Sequence, residues 1–191
     1  MTTPSPTSII IDIETLSCEP TAIITEIGLL AFDRYSLEPM LHTSIPEAFS
    51  VVDEFTIHPD LFAQMAAGRT SCPETLAFHR SNETLPTFRE LQSPPKVCCH
   101  LLRDFIERMR PHRIWIQGPD FDRPILENFC TQFGDSLPWE FWRTRDSRTL
   151  WDLAFPGERH ASRPHHALPD CRATLADLTK SLQTLNRIEA A

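Results

Sequence analysis

Glycine is scarce in this sequence, with 5 residues in 191, whereas proline is abundant, with 17. Few connections can therefore be sharp glycine turns, and we expect irregular loops stiffened by proline. Long apolar runs are also missing, and no stretch approaches the roughly 20 residues that span a bilayer. The opening octapeptide MTTPSPTS has no basic residue and does not look like a signal peptide. These absences predict a cytoplasmic protein that has no membrane partner.

The sequence also lacks closely spaced cysteine pairs and has few basic residues. The six cysteines lack CxxC spacing, so we expect reduced, mostly buried thiols and neither a disulfide framework nor a structural zinc site. Acidic residues outnumber Lys and Arg by 26 to 18, which gives a net charge of −8. Because proteins that coat nucleic-acid duplexes are usually basic, this balance argues against an extended phosphate-binding surface. A small binding site for the end of a nucleic-acid strand remains possible, since bound cations would supply positive charge there.

The pattern of apolar residues indicates one α/β domain over residues 1–191, with about 1–6 flexible and about 186–191 frayed. Apolar, β-branched runs predict strands at 8–14, 22–33, 40–45 and 113–118, the first three forming a meander. The stretch 49–93 is predicted to carry helical pieces. Helical periodicity and proline positions predict helices at 60–66, 74–82, from 94–95 onward, 121–133, 146–155 and 167–185. This order of elements is typical of an α/β layer fold with a mixed sheet.

Four acids lie at the ends of predicted elements. Asp12 and Glu14 end the first strand on the same face. Since unpaired buried carboxylates are costly, the two acids indicate either a hydrated strand end or a site for Mg²⁺ or Mn²⁺. Asp122 and Asp170 each fall in the first turn of a predicted helix, where the helix dipole already favours a carboxylate. Asp120 is the residue that we expect to cap the earlier of these helices.

Two histidines, His165 and His166, precede Asp170 across a turn that contains proline. A histidine before a helix is most often an exposed turn residue, although its pKa near neutrality also suits proton transfer. The ordered set of acids and histidine is more specific than any single member. Each member lies at a strand end or a helix start, where α/β sheets place ligands.

Three motifs carry a family resemblance. IDIET contains Asp12 and Glu14, GPDFDRPIL contains Asp122, and HHALPDCRA contains His165 and Asp170. The set resembles the DEDDh branch of the DEDD-type (DnaQ-like) 3′–5′ exonucleases, which share the ribonuclease H-like fold. Within that branch, the chain is similar to the compact phage and prophage 3′–5′ exonucleases and exoribonucleases.

The resemblance spans nearly the whole chain. It is strongest in residues 8–33 and 112–182, and weakest in 49–93. The run Gln117-Gly118-Pro119-Asp120 departs from the Asn- or Gly-rich run of many relatives. Pro169 falls in the third motif. Proline should be tolerated there because the backbone N–H groups of a first helical turn have no partner inside the helix, so the N–H that proline lacks is not needed.

The resemblance implies an α/β, ribonuclease H-like, mixed five-stranded sheet flanked by helices. It also implies a metal-dependent 3′–5′ exonuclease that acts on single-stranded DNA or RNA and releases nucleoside 5′-monophosphates. Two divalent cations, Mg²⁺ or Mn²⁺, would bind the four acids, with Asp12 bridging both, Glu14 and Asp170 completing one site and Asp122 serving the other. His165 would be the general base, because it has the family's five-residue offset to Asp170 and His166 has not.

The substrate contacts are less specific. The resemblance implies that the backbone of Thr15 and Leu16 contacts the terminal nucleotide and that Leu16 wedges against its base, whereas a core leucine is the alternative. Phe78 and the neighbouring His79 are either stacking residues for a base or packing residues. The tryptophans at 115, 139, 142 and 151 are predicted to be packing residues. Arginines between the second and third motifs can either meet phosphate or form a solvated helix face; they are residues 143, 145, 148, 159 and 163.

Other functions stay open beside the exonuclease. An oligonucleotidase for very short RNA would share the whole constellation and would differ in its dependence on chain length. A non-catalytic module on the same fold would bind a nucleic-acid end or a protein, but such modules usually lose at least one of the five residues. An unrelated α/β protein would need five coincidental matches in order. The resemblance also allows a homodimer.

Overall fold

The structure, a computed structural model, describes residues 7–33, 51–85, 92–134 and 136–189. The strands are β1 (Thr7–Thr15), β2 (Ile24–Asp33), β3 (Val51–Ile57), β4 (Arg113–Ile116) and β5 (Thr144–Asp146). The helices are α1 (Leu61–Ala66), α2 (Pro73–Ser81), α3 (Pro95–Met109), α4 (Pro119–Phe133), α5 (Ser147–Ala154) and α6 (Ala167–Glu189). The predicted mixed, five-stranded α/β architecture is confirmed, and the strand order is β3-β2-β1-β4-β5.

The central strand β1 joins the antiparallel and the parallel halves of the sheet. It pairs antiparallel with β2, which pairs antiparallel with β3, so the three form a meander. On its other side β1 pairs parallel with β4, and β4 pairs parallel with β5. In the β1–β2 register Asp12 lies opposite Gly28 and Glu14 opposite Glu26. The carboxyl ends of β1 and β4 therefore meet at one edge of the sheet, and α4 begins there.

Alternate residues of β1 face two different helical layers. Ile9, Ile11 and Ile13 belong to a core cluster that includes residues of α3 and α4. Ile10 belongs to a second cluster with apolar residues of α6, among them Cys171. Because strand side chains alternate, Asp12 and Glu14 continue the face of Ile10, which is the side covered by α6. The first core cluster thus packs against one face of β1, and the acids of β1 lie on the opposite face, toward the start of α6.

Two buried polar side chains hold the connection between β1 and β2. Gln64 in α1 accepts a hydrogen bond from Ile24 N (2.9 Å) and donates one from Nε2 to Ile24 O (2.8 Å). Arg69, which follows α1, donates from both Nε and Nη2 to Ala22 O, at 2.8 and 2.6 Å. Backbone groups that lack a strand partner are satisfied in this way, which fixes the loop that follows the acids.

Several predicted elements differ from the structure. The strand predicted at 40–45 lies outside the described residues. A strand that was not predicted, β3, occupies part of the stretch in which helical pieces were expected. The sequence pattern does not reveal this strand because Asp53 and Glu54 interrupt its apolar residues. The three-residue β5 was not predicted either. Helix α4 begins at Pro119 with Gly118 at the cap position, so the prediction of Asp120 as cap is wrong.

The ends of the chain and the cysteines complete the description. Helix α6 continues to Glu189, four residues beyond the predicted end, whereas residues 1–6 and 190–191 lie outside the described part. All six cysteines are free, and four of them are buried. Across the described ranges, none of the helices combines the length and the apolar character that a membrane crossing requires.

Candidate active site

Asp12 and Asp122 lie where β1 and α4 meet. Asp12 is on β1, and Asp122 is a buried residue in the first turn of α4. A carboxylate oxygen of Asp122 accepts a hydrogen bond from the backbone N–H of Ile13 at 3.2 Å. This bond fixes the start of α4 against the acidic end of β1, so two carboxylates that are far apart in sequence share one corner of the sheet.

Glu14, His165 and Asp170 form the tightest group of the site. One potential ligand atom from each of the three side chains lies within 4.8 Å of the other two. Asp170 is only 5% exposed, and within the described residues its Oδ1 has no hydrogen-bond partner. Buried carboxylate oxygens are normally paired, so an orphaned acceptor beside the carboxylate of Glu14 fits a bound cation.

The electrostatics of the cluster also fit a cation. Burial raises the pKa of Asp12 well above its ordinary value, and the carboxylates of Asp122, Glu14 and Asp170 raise it further. Burial, together with neighbouring carboxylates, raises the pKa of Glu14 to about 8. Burial is also the main reason why the pKa values of Asp122 and Asp170 are raised. The raised pKa values favour protonation within the cluster unless positive charge enters, and the carboxylate oxygens suit Mg²⁺ or Mn²⁺.

Two arginines supply part of that positive charge. Arg163 opposes the rise in the pKa of Asp12 and of Asp170. Its guanidinium is held in place by Asp177 of α6, whose Oδ2 accepts from Nη2 at 2.6 Å. Arg148 similarly opposes the rise in the pKa of Asp122. Since the pKa values of these carboxyls remain raised, the two arginines do not neutralise the site by themselves.

The two adjacent histidines point in different directions. His165 has a φ of +59°, in the left-handed region that costs a non-glycine residue about 1–2 kcal/mol. Its ring lies edge-on to Phe78, with ring centroids 4.8 Å apart. His166 instead donates from Nδ1 to Glu26 Oε1 at 3.1 Å, and its side chain is 48% exposed. The left-handed turn thus directs one imidazole to the acids and the other to β2.

A pocket of about 320 Å³ opens next to the acids. Two aromatic rings in its wall, Phe78 and Phe121, are 43% and 37% exposed. The neighbouring His79 is buried, donates from Nε2 to Thr15 O at 2.8 Å and pairs through Nδ1 with the hydroxyl of Thr84. The lining residues are Ile13, Glu14, Thr15, Cys18, Glu74, Thr75, Phe78, His79 and Phe121. The pocket is therefore shared between β1, α2 and the first turn of α4.

The predicted substrate contacts are only partly brought together. Thr15 and Phe78 line the pocket. Leu16 is buried in a core cluster with Ile23 and Leu61, so its side chain takes the core position that the sequence left as the alternative to a wedge. Among the tryptophans predicted to be packing residues, Trp142 is exposed and its ring contacts Phe141, so it does not pack in the interior.

Two residues of the site were missed by the sequence analysis. Phe121 lies one residue before Asp122 and was overlooked because an aromatic residue at a helix start is usually a packing residue. Glu26 lies inside the apolar strand ITEIGLLAFD, where a lone acid is an available signal. Its proximity to the turn at residues 165–167 depends on the packing of α6 on β2, which the sequence does not specify.

The comparisons with known proteins agree on a family of nucleases. A family model described as the 3'-5' exoribonuclease Rv2179c-like domain matches residues 7–180. The nuclease domain of 3'hExo, a DEDDh family member whose structure has rAMP bound, is similar with a TM-score of 0.54 at 15% identity, over 94% of this chain and 92% of that one. Cell-death related nuclease 4 (CRN-4) is similar with a TM-score of 0.54 at 16% identity, over 98% of this chain and 64% of that one. No curated protein sequence matches. At these identities the structures establish the ribonuclease H-like fold of DEDDh nucleases.

Proposed function

This chain belongs to the 3'-5' exoribonuclease Rv2179c-like domain family, and from that premise we propose that the acids and His165 form its catalytic site. The chain is a DEDDh 3′–5′ exonuclease. We propose that it acts on the 3′ ends of single-stranded nucleic acid and releases nucleoside 5′-monophosphates. RNA is the expected preference, because the family is described as exoribonucleases. The observation that carries the proposal is the convergence of buried carboxylates and one imidazole at a single corner of the sheet.

Divalent cations are part of the proposal. Asp12, Glu14, Asp122 and Asp170 would hold two of them, Mg²⁺ or Mn²⁺. When bound, such cations would lower the pKa of the attacking water and stabilise negative charge on the phosphate. The orphaned Oδ1 of Asp170 and the raised pKa values of the acids support this assignment. Because the protein has a net charge of −8, cations would also remove the repulsion between the site and a phosphate.

His165 would be the general base. It accepts a proton from the water, whose oxygen forms the new bond to phosphorus while the bond to the preceding 3′-oxygen breaks. That 3′-oxygen takes up a proton and remains on the shortened strand as a hydroxyl, and the departing nucleotide keeps its 5′-phosphate. An imidazole suits this transfer because its ordinary pKa lies near working pH.

The aromatic pocket would receive the last base. Phe78 and Phe121 offer exposed ring surface on which any base can stack, which supports an enzyme with little sequence preference. Thr15 lines the same pocket, and its buried carbonyl is held by His79. A stacked base would leave its phosphate beside the acids at the end of β1, where hydrolysis occurs.

The first test follows degradation directly. Single-stranded RNA and DNA oligomers of the same sequence, labelled at the 5′ end, are incubated with the protein and Mg²⁺ or Mn²⁺. We expect a ladder that shortens from the 3′ end, faster on RNA, and abolished by EDTA and by Asp12→Ala. If neither polymer is cleaved although cations bind, the non-catalytic alternative is correct. Cleavage confined to RNAs of a few nucleotides would favour the oligonucleotidase.

The second test separates a base from a metal ligand. His165→Ala should lower turnover by about 10²–10⁴-fold, the usual contribution of a general base. His166→Ala is the matched comparison and should lower turnover far less, because its imidazole contacts Glu26 and not the acids. Mn²⁺ affinity measured by calorimetry should change little in His165→Ala. A large loss of Mn²⁺ affinity would instead make His165 a ligand, and loss of turnover in His166→Ala alone would reverse the assignment of the two histidines.

A further inference from the structure

Glu26 of β2 forms hydrogen bonds with the turn that carries His165. Its Oε2 accepts a hydrogen bond from the backbone N–H of Ala167 at 2.9 Å, and its Oε1 accepts one from His166 Nδ1 at 3.1 Å. The Glu26 side chain is only 13% exposed, so water competes weakly for its bond to the Ala167 N–H, whereas the bond to the half-exposed His166 is the weaker of the two. Both carboxylate oxygens are therefore engaged by the two residues that directly follow His165.

The turn needs such a restraint. His165 occupies the left-handed region of backbone space, which a non-glycine residue keeps only where the surroundings hold it. On the helical side, the N–H of Asp170 donates to the carbonyl of His166 at 2.9 Å. Glu26 supplies the restraint from the sheet side and binds the first N–H of α6, which has no partner inside the helix.

The neighbourhood of Glu26 also argues for a specific role. In the β1–β2 register it lies directly opposite Glu14, and like charges in that position destabilise a sheet. Glu26 is one of the groups that raise the pKa of Glu14. A carboxylate at this position beside the acidic cluster therefore destabilises the fold. Its two hydrogen bonds to the turn indicate that its contribution is to hold the turn in place.

We infer that Glu26 is a positioning residue that fixes the backbone after His165 and so aims the imidazole at the Glu14–Asp170 cluster. The inference rests on the proposed function, since it takes His165 as the proton acceptor. Glu26 is not expected to contact the substrate. Its effect on catalysis passes through the turn, and it disappears when the imidazole is absent.

That dependence can be measured with a double-mutant cycle. The variants are Glu26→Ala, His165→Ala and the double variant, with Glu107→Ala as the matched control, because Glu107 is an exposed glutamate of α3. We expect Glu26→Ala to lower kcat on single-stranded RNA by about 10–100-fold with KM within about 3-fold. In the His165→Ala background the same substitution should change kcat by less than about 2-fold. Glu26→Gln keeps one acceptor for the Ala167 N–H and should recover part of the loss.

A second readout needs neither metal nor activity. The ring of His165 lies edge-on to Phe78, so its proton NMR signals should carry a ring-current shift in the metal-free protein. We expect Glu26→Ala to reduce that shift, Glu26→Gln to reduce it less, and Glu107→Ala to leave it unchanged. If Glu26→Ala unfolds, the comparison between Glu26→Gln and Glu107→Ala still decides the question.

The outcomes separate the inference from the proposed function. If His165→Ala retains full turnover, the proposed function of His165 fails and the inference fails with it. If His165→Ala is impaired but Glu26→Ala lowers kcat by the same factor in both backgrounds, the positioning role alone is overturned. An unchanged His165 signal in both Glu26 variants would also overturn it.

Discussion

Phe78 connects the pocket to the proposed base, since this partly exposed residue lines the pocket and its ring contacts His165. We expect Phe78→Ala to raise KM for single-stranded RNA by roughly 5–150-fold, because stacking contributes about 1–3 kcal/mol per base. Steady-state kinetics measure this, with Leu153→Ala as the control at an exposed apolar residue of α5. An unchanged KM would mean that the base binds elsewhere.

At the residue scale, the sequence predicted what depends on order along the chain. The two acids of IDIET, the acid of GPDFDRPIL, and the first histidine and the acid of HHALPDC were found as an ordered set. Three of these five side chains, those of Glu14, His165 and Asp170, lie together. Glu26 and Phe121 were not found, because their relevance depends on which strand register and which helix turn face the site. His165 and His166 could be told apart only through the family's spacing, whereas in the structure the left-handed φ of His165 separates them.

Among the secondary-structure elements, the packing of α6 on β2 permits only one residue type at position 28. A Cβ added to Gly28 would lie 2.5 Å from the backbone carbon of Ala167 and 2.7 Å from Leu168 N. Because the obstructing atoms are backbone, Gly28→Ala must push the start of α6 away from the sheet. We expect it to lower the free energy of unfolding by about 1–3 kcal/mol, the usual cost of overpacking.

The same substitution should also affect the site, since α6 carries Asp170. Activity of Gly28→Ala, measured at a temperature where circular dichroism shows it to be folded, should fall by at least about 10-fold, because misplacement by about 1 Å is costly in catalysis. A Gly28→Ala protein with normal thermal stability and normal turnover would show that α6 does not require this close approach.

The secondary-structure elements were predictable in proportion to their apolar content. Strands β1 and β2 are apolar runs, and the apolar stripe of α3 is plain in the sequence, so these elements were found. The edge strand β3 carries Asp53 and Glu54, which pair with Arg108 and Arg172 of neighbouring helices. Charge on an edge strand discourages pairing with other chains. It also interrupts the apolar pattern from which a strand is predicted. The three residues of β5 are too few to show a period.

For the whole molecule, the acidic site makes stability depend on pH in an unusual direction. The pKa of Glu14 rises from 4.5 in the unfolded chain to about 8 in the folded one, so between these values the folded state binds more protons. The contribution to stability is therefore present below pH 4.5 and is lost as pH rises through about 8. Without metal, we expect the free energy of unfolding to fall by on the order of 3 kcal/mol between pH 5 and pH 8.

Cations should reverse that trend, because they bind the ionised carboxylates and so bind more tightly as pH rises. Thermal melts at pH 5 and pH 8, with EDTA and with Mn²⁺, measure both effects. Glu14→Gln is the matched variant, since it removes the titrating group and should flatten much of the slope in EDTA. Metal-free protein that becomes more stable from pH 5 to pH 8 would contradict the charge distribution described for the site.

The hydrogen bonds that complete the site join residues very far apart in the chain. The bond from Ile13 to Asp122 spans 109 residues, and the bond from Ala167 to Glu26 spans 141. Loop closure over such lengths is entropically costly, so these bonds should form after the local β1–β2 meander. A nascent chain can therefore contain most of its central strands and still be inert. On the ribosome, the enzyme would acquire activity only after the chain has emerged beyond Asp170, the last acid of the site.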